Sequence, residues 1–140
     1  DLRPLAGFWE KRDISHRLSL GIDTESEAKA AGVARDVDRA RLLEALAQAG
    51  ITLPAELDRS EFTGVLCNAV HAFLASSASQ LFLAKPDDLL GEREQLNVPG
   101  TTFEAPNWRR KLSANVDDPV LLNALVELGR ICATYGRRQS

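Results

Sequence analysis

The residues best equipped for chemistry lie in one stretch, Asn97-Val98-Pro99-Gly100-Thr101-Thr102 followed by Pro106-Asn107-Trp108-Arg109-Arg110-Lys111-Leu112. Pro-Gly makes a tight turn. An Asn amide donates and accepts at once, a Trp offers a flat apolar face, and two Arg offer planar donors. Sugars present paired hydroxyls beside apolar C–H faces, so Asn, Trp and Arg together suit a sugar-binding surface. The same residues also have a structural use. Trp108 would cap the core, and Arg109 and Arg110 would tie the loop to carbonyls or carboxylates. On the residues alone both readings stay open, for Asn97 as for its neighbours.

Other reactive side chains point to structural roles. Cys67 and His71 stand one helical turn apart, but nothing nearby supplies oxyanion donors or a group to orient the imidazole, as a thiol nucleophile needs. His71 therefore reads as a packed core or boundary histidine, and His16, in a polar stretch, as solvated. Asp87 and Asp88 have the oxygens for a hard cation, yet adjacent carboxylates before a helical turn more often serve as caps. Glycines are too scattered for a phosphate-binding loop. No metal or cofactor is expected.

Helices must position these groups. Leu5, Phe8, Trp9 and Arg12 recur at three-and-four spacing after Pro4, predicting a short helix, with a second turn over 15–20 ended by Gly21. Thr24-Glu25-Ser26-Glu27 is a capping box. The helix it opens is expected to run to Gly50 with a break at Gly32. Val37, Leu42, Leu43 and Leu46 fall near one face, and Arg35, Asp36, Asp38, Arg39 and Arg41 are assigned to a solvated surface. Asp58 with Glu61 suggests another cap before the stripe Phe62, Leu66, Ala69, Val70 and Phe73. Residues 80–85, Gln80 to Lys85, make the one good strand candidate. A helical turn with a glycine stop follows over 87–91, then a long irregular stretch over 92–114, uncommon in a compact domain unless functional. Asp118-Pro119 starts a last helix through Leu121, Leu125, Leu128 and Cys132 to Tyr135.

The chain has 140 residues, 44% hydrophobic and 26% charged, which suits one globular domain and excludes wholesale disorder. A net charge of -3 argues against a general nucleic-acid binder. No apolar run reaches the ~20 residues of a membrane helix. Cys67 and Cys132, far apart, read as reduced, buried thiols of a cytoplasmic protein. There is no Met, and Asp is a poor residue to follow a removed initiator, so the chain reads as a piece of something longer. The lone strand agrees. An apolar strand needs parallel neighbours on both sides, and this sequence does not supply them. The expected class is therefore α/β, the last segment of a parallel architecture, locally mostly helical. The alternative is a non-catalytic, stand-alone helical interaction module or degenerate remnant, whose strand pairs with another chain.

The Asn97–Thr102 and Pro106–Leu112 strings together resemble the C-terminal signature of the amylomaltases, the 4-alpha-glucanotransferases of glycoside hydrolase family 77. Asp1-Leu2 with Leu5-Ala6-Gly7-Phe8-Trp9 is similar to that family's His-Asp-Leu-Pro-Thr-(Leu/Val)-Ala-Gly-(Phe/Trp)-Trp stretch. Asp87-Asp88-Leu89-Leu90-Gly91-Glu92 with Gln95 resembles the segment after its last barrel strand. The resemblance runs in order along the whole chain, weakest between about 15 and 60. It implies that residues 1–140 are the C-terminal part of a (β/α)8 TIM barrel, completed by the remainder of its own barrel, with 80–85 as the last strand. It also implies transfer of alpha-1,4-glucan segments between maltodextrins with retention and without cofactor. The nucleophile and acid/base would lie on earlier strands, leaving this chain inactive alone.

Carried over by motif position, Asp1 would stabilise the transition state, and Asn97, Pro99 and Gly100 would bind glucan. A side chain at Gly100 would block close approach of the loop backbone to the sugar. The match has departures. Arg3 and Pro4 stand where the family usually has Pro and Thr, and Phe103 and Ala105 where many relatives have Asp and Tyr. The His before the motif Asp is absent.

Overall fold

The computed structural model describes residues 2–135, and Asp1 and residues 136–140 lie outside that range. Six helices make up the regular structure of the described residues: α1 (Leu5–Trp9), α2 (Arg12–Ser19), α3 (Glu25–Gln48), α4 (Gly64–Ser76), α5 (Pro86–Leu89) and α6 (Pro119–Thr134). Local signals set most of their ends. The Thr24 N–H donates to Glu27 Oε2 at 2.8 Å while the Thr24 hydroxyl accepts from the Glu27 N–H at 3.3 Å, the reciprocal capping box expected. Asp118 accepts from the Val120 N–H at 2.8 Å ahead of Pro119, which fills the first helical position.

The helices pack α1 on α2, α2 on α3, α3 on α4, and α4 on both α5 and α6. Between them lies one apolar cluster, Ala6, Trp9, Leu46, Phe62, Leu66, Cys67 and Ala69. Its anchor is Trp9, buried with its indole N–H donating to the Arg59 carbonyl at 2.9 Å. Burying so large a ring without that bond would leave a costly unpaired donor.

Several expectations are corrected. No strand occurs among the described residues, so 80–85 is not part of a sheet. A strand exists only by pairing, and no other described segment offers a partner edge. The segment nevertheless alternates: Leu81 and Leu83 are 84% and 88% exposed, while Phe82 turns inward with its ring edge on His71. Helix α3 runs unbroken through Gly32, because one glycine costs only about 1 kcal/mol in a helix this long. Val37 is exposed, Cys132 is only half-buried where a buried thiol was expected, and Arg35, assigned to the surface, is buried. Its guanidinium makes two 2.9 Å bonds to Asp13 and lies over the Phe8 ring. The cap of α4 is Thr63, which accepts from the Leu66 N–H, whereas Asp58 accepts instead from Ser60.

Candidate functional site

The irregular stretch after α5 is held by its own side chains. Thr101 donates its N–H to the Val98 carbonyl at 3.2 Å, closing a turn with Pro99 and Gly100 at its centre. Gly100 has φ +88°, the positive value a type II turn demands at that place. Asn107 then staples the turn from across the loop. Its Oδ1 accepts from the Val98 N–H at 2.9 Å, and its Nδ2 donates to Thr101 Oγ1 at 2.8 Å and to the Thr101 carbonyl at 3.3 Å. One residue on, Trp108 takes φ +61°, where a bulky side chain is strained, and its N–H donates to the Leu96 carbonyl at 2.7 Å.

The far end of the loop is tied back to the exit of α5. Arg110 pairs with the buried Glu92 carboxylate and donates to the Glu94 carbonyl, and Glu92 also accepts from the Ser113 N–H at 2.6 Å. Burial works to raise the Glu92 carboxyl, but the bonds from Ser113 and the Arg110 charge outweigh it and hold it below the ordinary glutamate value.

Three chain segments converge on one cavity of about 120 Å³. Leu2 and Pro4 come from the start of the chain, Lys85 and Asp87 from the entry to α5, and Leu96, Asn97 and Trp108 from the loop. The first two segments are bonded together. Lys85 Nζ donates to the Leu2 and Arg3 carbonyls at 3.2 and 3.1 Å, and Asp88 Oδ1 accepts from the Leu5 N–H at 2.6 Å. Asp88 thus caps a helix, as expected of the Asp87-Asp88 pair, but the helix is α1 and not its own. Burial pushes the Asp88 carboxyl above its ordinary value, against the Leu5 bond and the Lys85 charge.

Of the residues singled out from the sequence, Asn97 lines this cavity beside Trp108. Trp108 is 66% exposed, so it does not cap the core. Arg110 has the tethering role foreseen for it, and Arg109 is exposed. Pro99 and Gly100 are exposed and stand outside the cavity lining, and a Cβ at Gly100 would meet open space. In the structure the glycine therefore answers to its backbone angle. Asp1, the residue matched to a transition-state stabiliser, lies outside the described residues.

His71 is buried, with Nδ1 2.9 Å from the Cys67 carbonyl oxygen, a core histidine. Burial, with the Asp88 charge adding, pushes the Cys67 thiol up to about 12, so it stays protonated and donates to the Asp88 carbonyl. Sequence reasoning misses the roles of Lys85 and the Asp13–Arg35 pair, whose partners lie on other segments, and the stapling role of Asn107 within its own loop. For Asn107 the signal was its place in the loop string.

The cavity offers an amide, an indole face and a carboxylate within one opening, a set suited to hydroxyls and apolar C–H faces. Among the described residues no three His, Cys, Asp or Glu side chains cluster as a metal would require, and no helix is long and apolar enough to cross a membrane. The family profile described as 4-alpha-glucanotransferase matches residues 1–117. A 4-alpha-glucanotransferase of Mycobacterium tuberculosis is 36% identical over 126 residues, 87% of this chain and 16% of the relative. One of Haemophilus influenzae is 30% identical over 117 residues, 81% of this chain and 17% of the relative. The chain thus spans about one-sixth of the length of these relatives. With the profile covering most of its residues, the chain belongs to glycoside hydrolase family 77, the 4-alpha-glucanotransferase family.

Proposed function

We propose that this chain is the C-terminal part of the (β/α)8 catalytic barrel of a retaining, cytoplasmic 4-alpha-glucanotransferase. In this reading it passes alpha-1,4-glucan segments between maltodextrins. The observation that carries the reading is the convergence of three family-like segments on one cavity edged by Asn97 and the exposed, strained Trp108. Barrel enzymes build their sites from loops after the strands, and the stretch between α5 and α6 is the longest irregular one among the described residues. In the segment 80–85 before it, the outward-facing Leu81 and Leu83 suit a strand whose neighbours belong to the rest of the barrel. The free thiols Cys67 and Cys132 suit a reducing compartment.

Retaining transfer forms a covalent glycosyl intermediate on one carboxylate, while a second carboxyl protonates the leaving oxygen and then deprotonates the acceptor hydroxyl. In this proposal both come from the remainder of the barrel. Asp1 holds sugar hydroxyls as positive charge develops on the ring, and Asn97 donates to and accepts from a bound glucose unit. Pro99 and Gly100 shape the turn that presents Asn97 to the glucan.

Replacing Asn97 by Ala in the intact enzyme should lower kcat/KM for maltotriose disproportionation about tenfold to a hundredfold, as loss of a sugar hydrogen bond does. Circular dichroism and Tm should stay as in the wild type. Unchanged kinetics would remove Asn97 from the glucan site.

A further inference from the structure

In a β-turn the carbonyl of the central peptide points away from the turn's own hydrogen bond, so it finds no partner inside the turn. In the Val98–Thr101 turn that carbonyl is Pro99's, and it accepts from Arg17 Nη1 at 3.2 Å. Arg17 sits on α2, far from the loop in sequence and in the region where the family resemblance is weakest. Its guanidinium is already oriented. Nε donates to Asp23 Oδ2 and Nη2 to Asp23 Oδ1, both at 2.7 Å, a two-pronged fork that leaves Nη1 for Pro99. The bonds from Arg17 hold the Asp23 carboxyl below its ordinary value, so the fork is an ion pair.

The two clamps on this turn do different work. Asn107 belongs to the loop and makes it internally rigid, but it does not fix where the loop sits on the helical body. Gly100 adds a freedom of its own: with no Cβ it accepts φ of either sign, so the central peptide has two orientations open to it, with the Pro99 carbonyl on opposite sides. A donor fixed on α2 selects one of them.

We propose that Arg17, oriented by Asp23, is a positioning residue that fixes the Pro99–Gly100 peptide and through it sets Asn97 against the glucan cavity. The proposal rests on the glucanotransferase reading above. Arg17 touches no sugar; it acts through the turn.

The test is a double-variant cycle on the intact enzyme with maltotriose as substrate, comparing Arg17→Ala, Asn97→Ala and both together. R17A should lower kcat/KM about tenfold, the scale on which misplaced binding groups act. R17A added to N97A should lower it no further, because the group that Arg17 places is gone. A residue with a merely structural role would give multiplicative losses. Asp23→Asn, which frees the guanidinium without removing it, should lower kcat/KM in the same direction and be equally silent beside N97A. It replaces R17A in the cycle if that variant does not fold. Wild-type kinetics in R17A, or multiplicative losses in the double variant, would overturn the role of Arg17 and leave the glucanotransferase reading intact. Absence of turnover in the wild-type enzyme would overturn that reading, and this proposal with it.

Discussion

Gly7 lies on α1 where the helix passes under the backbone of the loop after α5. A Cβ built there would sit 2.0 Å from the Arg93 carbonyl oxygen, and a backbone atom has no rotamer by which to withdraw. Gly7→Ala should therefore destabilise the protein by roughly 2–4 kcal/mol, at or above the usual cost of overpacking. A lowered urea midpoint would show it, and an unchanged midpoint would mean that the two backbones separate freely. The contact explains why the Leu5–Trp9 motif needs a glycine at its centre. Arg93 is itself anchored by its Nε, which donates to Glu10 Oε2 at 2.7 Å just past the end of α1. Gly100 is the contrasting case, with open space around it and a backbone angle that L side chains rarely adopt. The two motif glycines thus answer to different demands, one for room and one for angle.

At the scale of the element, α3 shows how length overrides a local defect. Its 24 residues carry Gly32 near the first third, and the capping box at Thr24 holds its start. A Cβ at Gly32 would meet little more than the Lys11 ammonium at 3.9 Å, an ordinary contact. Gly32→Ala should stabilise the helix by about 0.5–1 kcal/mol by removing backbone freedom from the unfolded chain. Slower hydrogen exchange of the amides in the middle of α3 would register it; faster exchange would mean that the glycine serves a local distortion. The segment 80–85 teaches the opposite lesson. Its composition and its alternating exposure belong to a strand, but no neighbour pairs with it among the described residues. A helix closes its hydrogen bonds within itself, whereas a strand depends on a partner.

For the molecule as a whole, the proposed reading divides one active site between this chain and the rest of a barrel. The purified 140-residue chain should show no maltotriose disproportionation, because the carboxylates that form and resolve the glycosyl intermediate lie elsewhere in that reading. Sugar analysis after prolonged incubation would check this, and sustained turnover would mean that the chain holds its own nucleophile. Much of the arrangement was legible beforehand: the helical character, the capped starts at Thr24 and Asp118, the irregular 92–114 stretch and the place of Asn97 in it. The lining of the site was legible only in part. Asn97 and Trp108 stand out by residue type, while Lys85 looks in sequence like the end of a strand.

The sequence by itself determined whatever closes within a few residues. Thr24 finds Glu27 three positions on, Asp118 finds Val120 two positions on, and the Pro99-Gly100 turn closes from Val98 to Thr101. The family strings are of the same kind, since they are read as contiguous residues. Only the tertiary structure decided which distant groups meet. It brought Asp88 to the N–H of Leu5 across 83 positions, buried Arg35 on Asp13, laid Gly7 under Arg93 and carried Arg17 to the Pro99 carbonyl. No period or cap predicts such pairs. Each partner's identity depends on how whole helices pack, and a charged or polar residue looks the same in sequence whether it faces water or a buried partner.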